Sequence, residues 1–290
     1  MKKYMMFLLL LGVLKLTAVQ TEPRDFRTFL YGNDSSFTYN NWLSHVSEGD
    51  SDANHYAPFD RQLNNFGGFD VGAVYSDVWE SAVENFCNGN FDQAHQILND
   101  ASLPFEVVEI IDTATYRQYF VLREIPDMSF VDNNNTPYIN YDNEIGAFVK
   151  GWGLAVYNPN SENSVVISVV QPGDDFITVP LAFEAFEKTD ARYMLINGAG
   201  RSVIPNVSDP SRYDNHPFNK IFRAACDEIR STFGRREFSL QLHSFDYDNN
   251  LPVDVLLSSG RARPTGLPIY DFSSQHLDIV NSCERNIFPP

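Results

Sequence analysis

Residues 165–175 read VVISVVQPGDD, and the class of fold turns on them. An apolar, β-branched run interrupted only by Ser168 stops at Gln171-Pro172-Gly173 and delivers two adjacent carboxylates, Asp174 and Asp175. A run of this kind closed by Pro and Gly predicts a buried strand with a turn at its carboxyl end. In open α/β sheets ligands bind beyond the carboxyl ends of the strands, so Gln171, Asp174 and Asp175 are the first candidates for chemistry.

The flanking sequence predicts more of the same layer. AFVKGWGLAVY at 147–157 reads as a strand, joined to the 165–170 strand through the turn Asn158-Pro159-Asn160. Thr178 is placed to cap a helix through Leu181, Ala182 and Phe186, with Pro180 in its first turn. A third strand, 193–196, runs into Asn197-Gly198-Ala199-Gly200-Arg201. Pro217 then opens a helix whose Phe218, Ile221, Phe222, Ala225, Ile229 and Phe233 form one apolar face, and Gly234 stops it. The strand 238–242 ends at His243-Ser244. This alternation predicts an α/β fold: a mixed, mostly parallel sheet with flanking helices and right-handed crossovers. Segments 171–175, 198–201 and 243–246 then leave their strands at the same edge.

Upstream the pattern is weaker. Residues 21–72 are rich in Asn, Asp, Ser and aromatics and predict irregular structure with short strands. The loop 45–55 carries many oxygens, but it lacks the EF-hand order and closing Glu, so it reads as a solvated acidic loop. Trp79, Ala82, Val83 and Phe86 mark a helix, 91–98 a second one, and PFEVVEII and RQYFVLR two strands. The acidic, Asn-rich stretch 126–144 is the best boundary. Residues 21–145 are therefore expected as a smaller α+β region, whether separate or within the same globule, and 146–290 as the α/β domain.

Lys2 and Lys3 precede an apolar run from Tyr4 to Leu14 followed by small and polar residues, the layout of a secretory signal peptide over 1–20. The expected location is periplasmic or extracellular. No later stretch approaches about 18 consecutive apolar residues, so no transmembrane segment is expected in the mature chain. A formal net charge of -17 excludes nucleic acid and anionic membrane surfaces as partners, because phosphate binding needs clustered cations. The three cysteines, Cys87, Cys226 and Cys283, allow a Cys226–Cys283 bridge or buried free thiols, and no spacing suggests a structural zinc.

A zinc hydrolase needs two or three N/O ligands converging on a metal with one position open for water. His243 after one strand and Asp174 and Asp175 after another are compatible with such a site. Each residue also has a structural reading. Arg201 and Arg212 can pair with Asp209, Asp214 or Asp246, and His216 can serve only as the N-cap of the Pro217 helix. Asp175 can bond the backbone of its own turn, and His95 and His276 read as structural. GAGR lacks the P-loop spacing and no GxSxG occurs, so nucleotide and serine-hydrolase readings rank low.

Over about a third of the chain, the succession VVQPGDDFIT, ARYMLINGAGR, SDPSRYDNHPFNKIF and RREFSLQLHSFD resembles a group of secreted bacterial proteins of uncertain function that carry HPxDDxxT, GAGRE, DPSRxxxHPFN and QxHSYD motifs. That group distantly resembles the zinc carboxypeptidase (phosphorylase-like) fold. The resemblance implies a zinc-dependent peptidase or amidohydrolase acting on a peptide or an amide-containing small substrate. It implies Asp174 and His243 as metal ligands, and Arg201 and Arg212 as cations that hold a substrate carboxylate or polarise a scissile carbonyl. The departure is Gln171, which stands where the pattern has His and offers only a neutral amide. The alternative is a non-catalytic envelope or secreted protein that binds a peptide or glycan fragment in the same cleft. No general base is assigned; the late carboxylates Asp271, Asp278 and Glu284 sit in no motif.

Overall fold

The computed structural model describes residues 19–32, 41–46, 76–131, 145–172, 175, 177–201, 208–212 and 214–243. The chain divides into two compact units, Met1–Phe245 and Asp246–Pro290, and all described residues belong to the first. The expected signal segment apart from Val19 and Gln20, the acidic loop beyond Val46, Asp174, Cys283 and the late carboxylates lie outside the described residues.

The strands are β1 (Gln20–Arg24), β2 (Phe105–Asp112), β3 (Gln118–Glu124), β4 (Asp127–Val131), β5 (Ile145–Ala147), β6 (Leu154–Tyr157), β7 (Val165–Val169), β8 (Tyr193–Ile196) and β9 (Phe238–Leu242). The helices among the described residues are α1 (Phe26–Tyr31), α2 (Ser76–Cys87), α3 (Phe91–Asp100), α4 (Thr178–Thr189) and α5 (Pro217–Phe233), with a 3-10 turn at Leu43–His45. Helix α5 shows how local sequence sets an element. Buried His216 accepts the Phe218 N–H through Nδ1 at 3.0 Å, Pro217 occupies the first turn, and Gly234 ends the helix at φ 61°.

Seven strands form one sheet in the order β1-β2-β3-β6-β8-β7-β9, and β4 pairs with β5 in a separate two-stranded ribbon. The class is therefore α/β with a mixed sheet, but the pairing is not mostly parallel. β1/β2, β7/β8 and β7/β9 are parallel, while β2/β3, β3/β6 and β6/β8 are antiparallel. The difference arises at β6, which runs antiparallel between β3 and β8. All four of its residues are buried, and a run buried on both faces looks the same whichever way its neighbours point.

The strand expected over 147–157 is also divided in two. Gly151 and Gly153 take φ values of 63° and 105°, which break the extended chain, so only Leu154–Tyr157 joins the main sheet. At the far edge, β1 has no apolar alternation and contains Pro23. Proline is tolerated there because an edge strand needs donors on one side only.

Both faces of the sheet are buried, with side chains alternating between them as strand geometry demands. Tyr193 and Leu195 of β8 join one core with Trp79, Phe86, Phe218, Ile221 and Ile229 from α2 and α5. Met194 and Ile196 join the other with Phe26, Phe29, Val179, Phe183 and Phe186 from α1 and α4. Thus α4 and α5 cover opposite faces. A buried pair pins α5 to the start of β8: Arg192 Nη2 donates to Glu228 Oε1 at 2.8 Å, and Tyr193 Oη donates to Glu228 Oε2 at 3.1 Å.

Candidate functional site at the carboxyl edge of the sheet

The pairing directions make β3, β7, β8 and β9 point one way and β6 the other. Their ends bring Glu124, residues 151–153, Asn197, Gln171 and His243 to one edge, in that lateral order. The chain leaves β7 for α4 on one face and leaves β8 for α5 on the other. Neighbouring strands whose connections part in this way leave a crevice between them, the usual ligand position in an open α/β sheet.

Asn197 is the first residue past β8, where those connections part. It is fully buried; its N–H donates to Val169 O at 2.9 Å, and its Nδ2 donates to Val170 O at 3.0 Å and to Ala199 O at 2.7 Å. Among the described residues its Oδ1 accepts no hydrogen bond. Next to it two backbones cross: a Cβ on Gly153 would lie 2.2 Å from Ile196 O, and one on Gly198 would lie 2.7 Å from Gly153 N. Glycine at both positions is thus a packing requirement.

Glu124 holds the 151–153 segment from the other side. Its buried carboxyl accepts N–H donors from Lys150 at 2.5 Å and Gly151 at 2.8 Å. Burial pushes its pKa up to about 8, against the backbone donors, which favour the anion. With strands about 4.8 Å apart, Glu124 and His243 are four spacings, or about 19 Å, from each other. Glu124 therefore shapes the floor of the edge and takes no direct part in chemistry at His243.

A carboxylate–imidazole pair stands at the same edge. Asp175 is 3% exposed, and its Oδ2 lies 2.9 Å from His243 Nδ1, while the His243 side chain is 41% exposed. An ionised carboxylate only accepts, so Nδ1 carries the proton and the outer nitrogen, Nε2, is the one that can meet a ligand. Nε2 lies 3.1 Å from Gln241 Oε1, two residues back on the same strand face. Asp175 does more than the local turn bond expected of it. Its N–H donates to Gln171 O at 2.9 Å, and its carbonyl accepts from Thr178 N at 3.2 Å and Thr178 Oγ1 at 2.6 Å. The Asp175 backbone thus ties Gln171 to Thr178, while its carboxylate meets His243.

Thr178 starts α4 but makes no side-chain cap; the cap position is Ile177, at φ 71° and 48% exposed. A β-branched residue in the left-handed region is strained, and this one sits beside the pair. Gln171 is buried in the same turn. Arg201 is exposed. Arg212 is 66% exposed, with Nε 3.3 Å from Asp209 Oδ2, and Asp209 is itself held by Ser211 N and Oγ. His216 is buried as a helix cap, its pKa pushed down to about 3 by desolvation. His95 accepts the Val107 N–H at 3.1 Å, a structural role. Cys87 and Cys226 are buried thiols, and burial pushes the pKa of Cys226 up to about 12.

Sequence reasoning named Gln171, Asp175 and His243 but missed Asn197, Glu124 and Gln241. Asn197 opens the NGAGR motif already singled out and was legible as the first residue past a strand. Glu124 carries no sequence signal, because its partners are backbone amides some 26 residues away in the chain.

Among the described residues no three His, Cys, Asp or Glu side chains are grouped to hold a metal ion; Asp174, an expected ligand, lies outside them, and Gln171 offers a neutral amide. Among the described residues no helix is long and apolar enough to cross a membrane. No protein family, curated protein or solved structure matches this chain.

Proposed function

We propose that this chain is an exported hydrolase-like protein of carboxypeptidase-like fold that takes a peptide or amide-containing ligand at the carboxyl edge of β7, β8 and β9. The observation that carries the reading is the buried Asp175 carboxylate holding an outward-facing His243 imidazole beside the crevice between β7 and β8. Such a pair fixes the tautomer and orientation of the ring, and it stabilises the imidazolium formed when Nε2 takes a proton from an attacking water. The same proton then passes to the leaving amine. The resemblance assigns Arg201 and Arg212 as the cations for a ligand carboxylate or a developing oxyanion. The motif resemblance supports the substrate class, and the N-terminal segment supports export.

Amine release from a panel of N-acyl dipeptides, compared among the wild type, Asp175→Asn and His243→Ala, tests this. General-base loss should lower turnover by about 10²–10⁴-fold. Undiminished hydrolysis by His243→Ala would sink the assignment.

A second reading, a binding protein without turnover, is favoured by Gln171, since a neutral amide at that position removes metal chemistry of the kind the resemblance implies. In that case the wild type binds peptides without cleaving them, and Gln171→His creates a zinc affinity that the wild type lacks. Stoichiometric zinc held by the wild type and lost in His243→Ala would refute it.

A further inference from the structure

We propose that Gln241 is a resting occupant of the ligand position on His243, so that this position is a carboxamide subsite which an incoming amide group takes by displacing the Gln241 side chain. The inference rests on His243 being the working group of the site and adds what it recognises. Asp175 engages Nδ1 from the buried side, which leaves Nε2 as the only ring atom for a ligand. That atom is met by a carboxamide 3.1 Å away.

The chemistry of the contact is specific. With Nε2 protonated, the ring donates to the amide oxygen; with the amide turned, its NH2 donates to a neutral Nε2. A carboxamide serves both protonation states of the ring, which a carboxylate or an ammonium group does not. Gln241 lies on β9 and His243 is the first residue past its end, two positions on, and the 3.1 Å contact places their side chains on the same side. Gln241 is exposed, and its long side chain can swing into solvent without disturbing the core. A ligand amide that replaces it gains the same hydrogen bond to Nε2 that the Gln241 side chain gives up.

The test uses the full chain labelled with ¹⁵N-histidine. Binding of N-acetylglycinamide to the wild type, Gln241→Ala, Gln241→Glu and His243→Ala is measured by saturation transfer to the probe's own signals, and His243 Nε2 is followed by NMR in the three chains that retain it. Removing the internal competitor should tighten probe binding in Gln241→Ala by about fivefold, the worth of one neutral hydrogen bond. Gln241→Glu should weaken it at a pH low enough to protonate the ring, because a carboxylate pairs more strongly than an amide with a charged Nε2–H. The Asp175-bonded Nδ1–H signal of His243 reports folding in the chains that retain it, and for His243→Ala the dispersion of the backbone amide signals does so.

Equal probe affinity in the wild type and Gln241→Ala, with binding abolished in His243→Ala, would overturn the displacement while leaving the His243 site intact. Binding that survives His243→Ala would overturn both.

Discussion

Glu124 offers a sharp test of the edge architecture, because burial and hydrogen bonding pull its proton in opposite directions. Its pKa stands at about 8, against an ordinary value of 4.5, a difference of about 5 kcal/mol between the two protonation states. The folded chain holds the proton more tightly than the unfolded chain. The contribution to stability is therefore fully present below pH 4.5, falls by about 1.4 kcal/mol per pH unit as the unfolded carboxyl ionises, and is exhausted above about pH 8. Glu124→Gln is neutral at every pH and preserves the shape, so the difference between the two proteins isolates this group from all other carboxylates. Urea unfolding at pH 5, 6, 7, 8 and 9 should show the stability of the wild type relative to Glu124→Gln declining by several kcal/mol across the range. A difference independent of pH would refute the reasoning. One that grows with pH would show that the Lys150 and Gly151 amides outweigh desolvation and hold the anion.

The other expectations follow from equally local geometry. Glu228→Ala leaves the Arg192 guanidinium, stacked 4.6 Å from the Tyr157 ring, buried without its carboxylate, and should cost about 3–5 kcal/mol by denaturant unfolding; a loss below about 1 kcal/mol would contradict a desolvated pair. Gly153→Ala drives a methyl into Ile196 O and should cost roughly 2–5 kcal/mol while broadening backbone NMR signals from β6 and β8. Ile177→Gly relieves a left-handed β-branched residue and should stabilise the fold by about 1 kcal/mol, read as a rise in melting temperature. Because the folded pKa of His216 lies far below 6.5, at about 3, its contribution is present above pH 6.5 and lost as pH falls toward 3. His216→Asn keeps a capping acceptor and should remove that part of the acid lability, measured as the unfolding midpoint between pH 7 and 4.

The elements of the second half were legible because each rests on short-range chemistry. The strands at 193–196 and 238–242 and the helix from Pro217 to its Gly234 stop coincide with β8, α5 and β9, since a β-branched or apolar run, a proline and a glycine act within a few residues of themselves. His216 as a cap was legible for the same reason. The site was legible only in part. Gln171, Asp175 and His243 follow from the rule that strand ends carry chemistry. That Asp175 meets His243 is a contact across 68 residues, and no periodicity encodes it.

By itself, then, the sequence determined the α/β class, the strand and helix cores of 165–242, the punctuation by Pro and Gly, and the candidate residues at three strand ends, because propensity, patterning and turn chemistry are properties of neighbouring residues. Only the tertiary structure decided the neighbours of β6, and with them the even division of parallel and antiparallel pairs. It also decided the Gly153–Gly198 crossing, the enclosure of Glu124 by backbone amides, and the pairing of Asp175 with His243. Strand order and buried polar partnership depend on which distant surfaces exclude water together, and that is settled by the packing of the whole chain.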